Sequence, residues 1–278
     1  MDYGRDTLHG ALRKMVTAAE TPVAYRLPVG EQLLPLNPLV GKTVRIEFLG
    51  EIYCIACGRK TAKSFQQGYC FSCFRGLARC DLCFVRPEMC HYAQGTCREP
   101  AWGLANCMQP HYVYLASSSG IKVGITRAQQ VPARWIDQGA VQALPFLRVS
   151  SRHQAGLLEV AVKKHVNDRT DWRRMLKGEP AQADLAAKRD EVLTRCRDDI
   201  ARVVATAGAG RVTVLPDEAT RTFTYPILEY PATIRAVDLH KTPTLAGTLL
   251  GLKGQYLIFD TGVLNVRKFA GYAVTVTP

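Results

Sequence analysis

Six of the ten cysteines in this 278-residue chain form three CxxC pairs: Cys54/Cys57, Cys70/Cys73 and Cys80/Cys83. A CxxC turn aims two thiolates at one ion, and two such turns complete a closed tetrahedral zinc site. The first two pairs, separated by twelve residues, have the spacing of a zinc ribbon. Beyond them come Cys90, His91, Cys97, Cys107 and His111, which together with Cys80 and Cys83 exceed the four ligands of a single zinc. A second zinc is therefore expected on Cys80, Cys83, Cys90 and Cys97. His91, Cys107 and His111 are alternative ligands, and a crossed pairing of the first and third CxxC stays open. Structural zinc in small finger modules contributes about 10–16 kcal/mol, so such a segment is expected to fold around its metal. Cys196 stands apart, on a stretch (182–207) where Leu185, Val192, Leu193, Ile200 and Val203 recur at helical steps. There it reads as a small buried apolar residue.

Disulfides are the competing use of so many thiols, and they require an oxidising compartment. The opening stretch MDYGRDTLHGALRKM mixes acids and bases and lacks the apolar core of a signal peptide. The longest uncharged run, 100–121, is interrupted by Pro, Gly, Asn, Gln and Ser, whereas a bilayer demands about 20 mostly apolar residues. The expectation is a soluble cytoplasmic protein with reduced thiols and no membrane partner. Nothing in the sequence sets an oligomeric state.

Lys and Arg outnumber Asp and Glu by 36 to 24, a net charge of +12, which favours an anionic partner. The excess is concentrated: residues 111–178 hold eleven basic residues against four acidic ones. Nucleic acid, DNA or RNA, is the commonest polymer that would be drawn there. In that stretch, residues 112–116 and 121–125 read as two strands joined by Ser117-Ser-Ser-Gly120. Pro132 opens a short helix through Arg134 and Trp135 that stops at Gly139. Residues 144–149 make a third strand and 154–166 a second helix, so the order is β-β-α-β-α.

This order, with Val113-Tyr114 on the first strand, Lys122-Val123-Gly124 on the second, Arg134 on the helix and Glu159 in Gly-Leu-Leu-Glu, resembles a GIY-YIG endonuclease domain over roughly residues 111–170. Lys122 stands where the second motif normally carries a tyrosine. The resemblance implies Tyr114, Lys122, Arg134 and Glu159 as catalytic residues meeting in one basic hollow. Hydrolysing a phosphodiester needs a group to orient water, a cation on the non-bridging oxygens and a metal at the leaving oxygen. Tyr114 suits the first role and Arg134 the second. Glu159 suits Mg²⁺ or Mn²⁺ with most of its water shell retained. Lys122 can supply a fixed charge or, with a lowered pKa, a base. Each has a plainer reading: Tyr114 as a packing aromatic, Arg134 as a surface cation, and Glu159 with Lys163 as a helix-stabilising i,i+4 pair.

The flanks read as β-rich. Residues 39–48 alternate as a strand leading into the ribbon, and 233–277 suggest four or five short strands with glycine breaks. The two ends are expected to pair into one β-barrel-like module. The fold class expected is thus α+β. Its parts are an N-terminal β segment (1–53), a zinc-binding module (54–110), the GIY-YIG-like domain (111–178), a long helix (179–210) and a C-terminal β segment (211–278). End to end, the stretches CGRKTAKSFQQGYCFSCF, KVGITR, RWIDQGAVQALP and GLKGQYLIFDTGVLNVRKF make the chain similar to the bacterial family known as domain of unknown function 2797. The function expected is a nucleic-acid-binding zinc protein that hydrolyses phosphodiesters with a divalent metal. The alternatives are a non-catalytic DNA or RNA binder and a zinc-stabilised scaffold for protein partners.

Overall fold

The computed structural model describes residues 7–208 and 210–278. The first six residues of the opening stretch, and residue 209 at the end of the expected 179–210 helix, lie outside the described residues. In chain order the strands are β1 (Leu8–Ala11), β2 (Val16–Ala18), β3 (Ala24–Val29), β4 (Gln32–Pro35), β5 (Thr43–Ile52), β6 (His111–Ser117) and β7 (Ile121–Arg127). They continue as β8 (Gln142–Val149), β9 (Val212–Val214), β10 (Arg221–Thr222), β11 (Thr244–Lys253), β12 (Tyr256–Phe259), β13 (Val263–Asn265) and β14 (Tyr272–Thr277). The helices are α1 (Phe71–Gly76), α2 (Leu82–Val85), α3 (Pro100–Asn106), α4 (Ala133–Asp137), α5 (Arg152–Val162), α6 (Trp172–Lys177), α7 (Leu185–Arg195) and α8 (Arg197–Ala207). None is long and apolar enough to cross a membrane.

The fold is mixed α+β, and it divides into two compact units. One comprises the residues up to Arg75, residues 176–178 and residues 223–278; the other comprises 76–175 and 179–222.

In the first unit β5 alternates buried Val44 and Ile46 with exposed Thr43 and Arg45, the period-2 pattern of a half-buried strand. It lies between β14 and β11, both antiparallel, so that Ile46 faces Val276 on one side and Leu245 on the other. The full sheet runs β1-β14-β5-β11-β12-β13, and β2, β3 and β4 form a separate three-stranded sheet. Strands from both chain ends therefore share one sheet, but the barrel expected from the sequence does not close. Closure needs edge strands of matched length and stagger, and the two edges here are only four and three residues long and do not pair with each other. Lys253 is fully buried in this unit. Its ammonium lies 3.2 Å from the Gly178 carbonyl and 3.3 Å from the Tyr230 hydroxyl, above the rings of Tyr225 and Tyr230, a cage that offsets the cost of burying a cation.

The second unit is built on the sheet β10-β8-β6-β7, with β9 also paired to β8. One face of its central hairpin supplies Val113, Leu115, Val123 and Ile125 to a core completed by Leu144, Phe146, Leu158, Val162, Leu185, Val192 and Val203. The single helix expected over 179–210 is instead two, α7 and α8, broken at Cys196 (φ −99°, ψ 11°). Cys196 is itself buried in that core with Val192 before it and Val203 after it. Interrupting one turn there lets both segments keep their apolar faces on the sheet, and burial of such side chains outweighs the local loss of helical regularity.

Candidate functional site

The four residues singled out on the basic stretch all lie in the second unit, and local structure explains how each is aimed. Tyr114 on β6 stands opposite Gly124 on β7, and Lys122, two residues before Gly124, shares that face of the hairpin. The glycine is required sterically: a Cβ at position 124 would lie 2.7 Å from the Tyr114 hydroxyl oxygen. Arg134 comes from α4 and Glu159 from α5, the latter begun by a Ser151 side chain that accepts from the Gln154 N–H.

The side chains are brought within electrostatic reach of one another. Burial raises the Tyr114 phenol above the ordinary tyrosine range; the Arg134 guanidinium opposes the shift and the Glu159 carboxylate adds to it. Burial, followed by repulsion from Arg134, brings the Lys122 ammonium down to about 7. Near neutral pH it is thus divided between ammonium and amine and able to give or take a proton. Burial also raises Glu159, with Lys163 and Arg152 opposing and the carboxylates of Asp168 and Glu88 reinforcing the shift. A half-buried carboxylate with two like charges nearby is a fitting ligand for a divalent cation. The four groups are not equally open. Tyr114 has no exposed surface and Lys122 is 5% exposed, whereas Arg134 and Glu159 are half-buried.

Two residues that sequence reasoning missed close this arrangement. The Gln138 side-chain oxygen accepts from the Tyr114 hydroxyl at 3.2 Å and also from the Lys122 ammonium. Lys122 further donates to Thr170 Oγ1 at 2.7 Å. Gln138 follows Arg134 by four residues, a spacing that puts both on one helical face and could have revealed it. Thr170 lies in a loop and has no such signal.

His111, at the start of β6, is fully buried; its Nδ1–H donates to the Gln109 carbonyl at 2.7 Å, and its Nε2 has no hydrogen-bond partner among the described residues. Burial lowers its pKa to about 4, with Arg152 and Arg127 adding to the shift. Below its ordinary pKa of about 6.5 the unfolded chain binds a proton that the native state does not, so stability falls as pH drops from 6.5 towards 4. The loss expected at the acid end is on the order of 3 kcal/mol. Urea unfolding of wild type and His111→Gln at pH 7.5 and 4.5 measures it: the variant should lose less on acidification, and equal losses would refute the assignment.

In the first unit the ribbon cysteines form a closed set. Cys54 leads a turn in which the Gly58 N–H donates back to the Cys54 carbonyl, and the Phe74 N–H does the same for Cys70. All four sulfurs lie within 4.8 Å of one another. Cys57 Sγ and Cys70 Sγ are 3.8 Å apart, the edge of a tetrahedron with bonds of about 2.3 Å. The backbone N–H and guanidinium of Arg59 lower Cys57 to about 6. Burial opposes ionisation of Cys54, but the N–H groups of Cys70, Cys57 and Ala56 outweigh it and lower that thiol also. Burial and the neighbouring sulfurs push Cys73 up to about 12. Cys57 is thus ionised near neutral pH, and Cys73 gives up its proton only when a cation arrives, as in a metal-assembled site. Geometry and donor set fit Zn²⁺, which would hold the two turns together.

The remaining thiols lie in the second unit and group differently from the spacing-based quartet. Cys83, Cys90 and Cys97 line one cavity with Cys107, and Cys80 is not on it. The reason is local: Asp81 caps α2 by accepting from the Cys83 N–H at 3.3 Å and is pinned by Arg98 at 2.6 Å. The third CxxC is therefore a helix start, with Cys80 outside the cavity that Cys83 lines. Asp81 also joins Cys83 and His91 in the second group whose donor atoms all fall within 4.8 Å.

The same lobe positions Glu159. Helix α5 lies against the turn Pro87–Met89 through Gly156, and at its first turn the Arg152 N–H donates to the Cys107 carbonyl (2.8 Å) while the Arg152 guanidinium donates to the Phe84 carbonyl (2.5 Å).

No curated protein and no solved structure matches this chain. Residues 41–274 match the model of the family described as protein of unknown function DUF2797. That span takes in the ribbon, the second thiol group and all four residues of the basic site, and the chain belongs to this family.

Proposed function

We propose that the second unit is a GIY-YIG-like phosphodiester-binding domain that hydrolyses nucleic acid with a divalent metal. The observation that carries the reading is the convergence of a phenol, an amine near neutrality, a guanidinium and a carboxylate from two strands and two helices. In this reading Arg134 holds two non-bridging phosphate oxygens. Lys122, as the amine, accepts the proton of the attacking water, and Tyr114 orients that water. Gln138, which accepts from both, sets their spacing and must turn aside for the phosphate to reach them. Mg²⁺ or Mn²⁺ held by Glu159 would stabilise charge on the leaving oxygen.

One observation favours a second reading, phosphate binding without turnover: the Tyr114 hydroxyl and the Lys122 ammonium are both buried and already engaged by Gln138. A gel assay on single- and double-stranded DNA and RNA, at low and moderate salt with and without divalent ion, separates the two. Hydrolysis predicts metal-dependent cleavage that falls at least about 100-fold in Glu159→Ala, with binding retained. Salt-sensitive binding without cleavage supports the second reading, since phosphate contacts release counterions. Neither binding nor cleavage at any salt would end both.

A further inference from the structure

Cys83, Cys90, Cys97 and Cys107 surround one cavity in the second unit, yet their sulfurs are not gathered as a single tetrahedral ion requires. In the ribbon all four sulfurs lie within 4.8 Å of one another; among the four around the cavity no three do. A lone zinc with bonds of about 2.3 Å needs sulfurs about 3.8 Å apart. Ligands of a multi-iron core stand further apart, because each sulfur bonds a different iron.

The surroundings suit such a core. Phe84, Tyr92 and Trp102 wall the cavity, and Arg79 and Arg152 lie over the Trp102 and Phe84 rings. Arg152 lines the cavity itself, and its Nε–H is buried with no hydrogen-bond partner among the described residues. A donor left over at the wall of a thiol-lined cavity is placed to meet an inorganic sulfide, and its positive charge balances a cluster that is anionic with four thiolates. Gly103 also lines the cavity, where a Cβ would lie 2.8 Å from the Tyr92 ring and 3.1 Å from Cys97 Sγ.

We infer that Cys83, Cys90, Cys97 and Cys107 bind an iron–sulfur cluster, with Cys80 taking no part. Each thiol gives up its proton to solvent on bonding iron. The cluster then ties α2, α3 and the segment between them into the lobe against which α5 rests.

The test is the metal and sulfide content of the full chain purified without oxygen, before and after reconstitution with ferric iron, sulfide and excess dithiol. Iron and acid-labile sulfide in equal amounts, several of each per chain, with broad visible absorption and one zinc, is the expected result. Cys107→Ser should lose the iron and the colour and keep the zinc; Cys80→Ser should keep all three. Where Cys107→Ser does not fold, the content of wild type and of Cys80→Ser decides alone. Two zincs and no iron under both conditions overturns the inference, as does iron that survives Cys107→Ser or is lost with Cys80→Ser. A second zinc removed by His91→Ala overturns it too, and assigns that ion to Asp81, Cys83 and His91.

Discussion

Replacing Cys73 with serine, or dialysing the protein against a strong zinc chelator, is expected to unfold residues 54–75 and to release one zinc per chain. Between those positions only Cys54 and Gly68 are buried. The rings of Phe65, Phe71 and Phe74 meet at 5.5 Å, but Phe71 is more than half exposed. So small a core cannot repay the roughly 1–2 kcal/mol per residue that ordering a backbone costs. A structural zinc, at about 10–16 kcal/mol, can. The effect also depends on pH with a definite sign. Cys57 ionises at about 6 while Cys73 needs the metal to drive off its proton, so protons compete with zinc increasingly below pH 6. Hydrogen exchange with zinc quantified at pH 7.5 and 5 reads both effects. Unchanged protection of residues 54–75 after complete zinc removal would sink the claim that the metal makes this segment. Cys196→Ala is the contrasting change, a small loss of core volume without loss of metal.

Gly156→Ala is expected to lower stability by about 3 kcal/mol, although helix propensity alone would raise it by about 1 kcal/mol. The two effects have opposite signs, and distances decide between them. The added methyl would sit 2.5 Å from the Glu88 nitrogen and 2.7 Å from the Pro87 carbonyl carbon. These are backbone atoms of a 3-10 turn that cannot swing aside as a long side chain can. Relief requires moving α5 off the turn, and α5 carries both Glu159 and Arg152, so any cleavage activity should fall with stability. Gly76→Ala is the control, since nothing lies within 4 Å of the methyl it would gain. Thermal unfolding of both variants measures the difference, and a Gly156→Ala protein as stable as wild type would show that the turn yields.

Both predictions rest on contacts of different legibility. The ribbon was readable because its ligands are local: each CxxC places its two sulfurs within one turn, and twelve intervening residues suffice to bring the turns together. The strand and helix order from His111 to Val162 was readable because it follows from hydrophobic period and from Pro132 and Gly139. The close approach at Gly156 was not, because it joins residues nearly seventy positions apart through atoms that every residue possesses. The third CxxC shows the same limit of spacing. Its spacing equals that of the first two, but Asp81 between the thiols turned it into a helix cap, and Cys107, not Cys80, reached the common cavity.

What the sequence by itself determined is therefore what short-range chemistry governs: a four-cysteine cluster able to hold a metal ion, an α+β pattern, a basic middle region and membership of the family that matches residues 41–274. The tertiary structure alone decided what depends on long-range register. It left the shared sheet open where a barrel was expected, broke the helix at Cys196, brought Gln138 and Thr170 to Tyr114 and Lys122, and gathered Cys107 instead of Cys80 with Cys83, Cys90 and Cys97 around one cavity. The physical reason is common to all four. Spacing along a chain sets which side chains share a turn or a face, whereas meeting across elements is set by how apolar surfaces pack, and that packing is a property of the whole core.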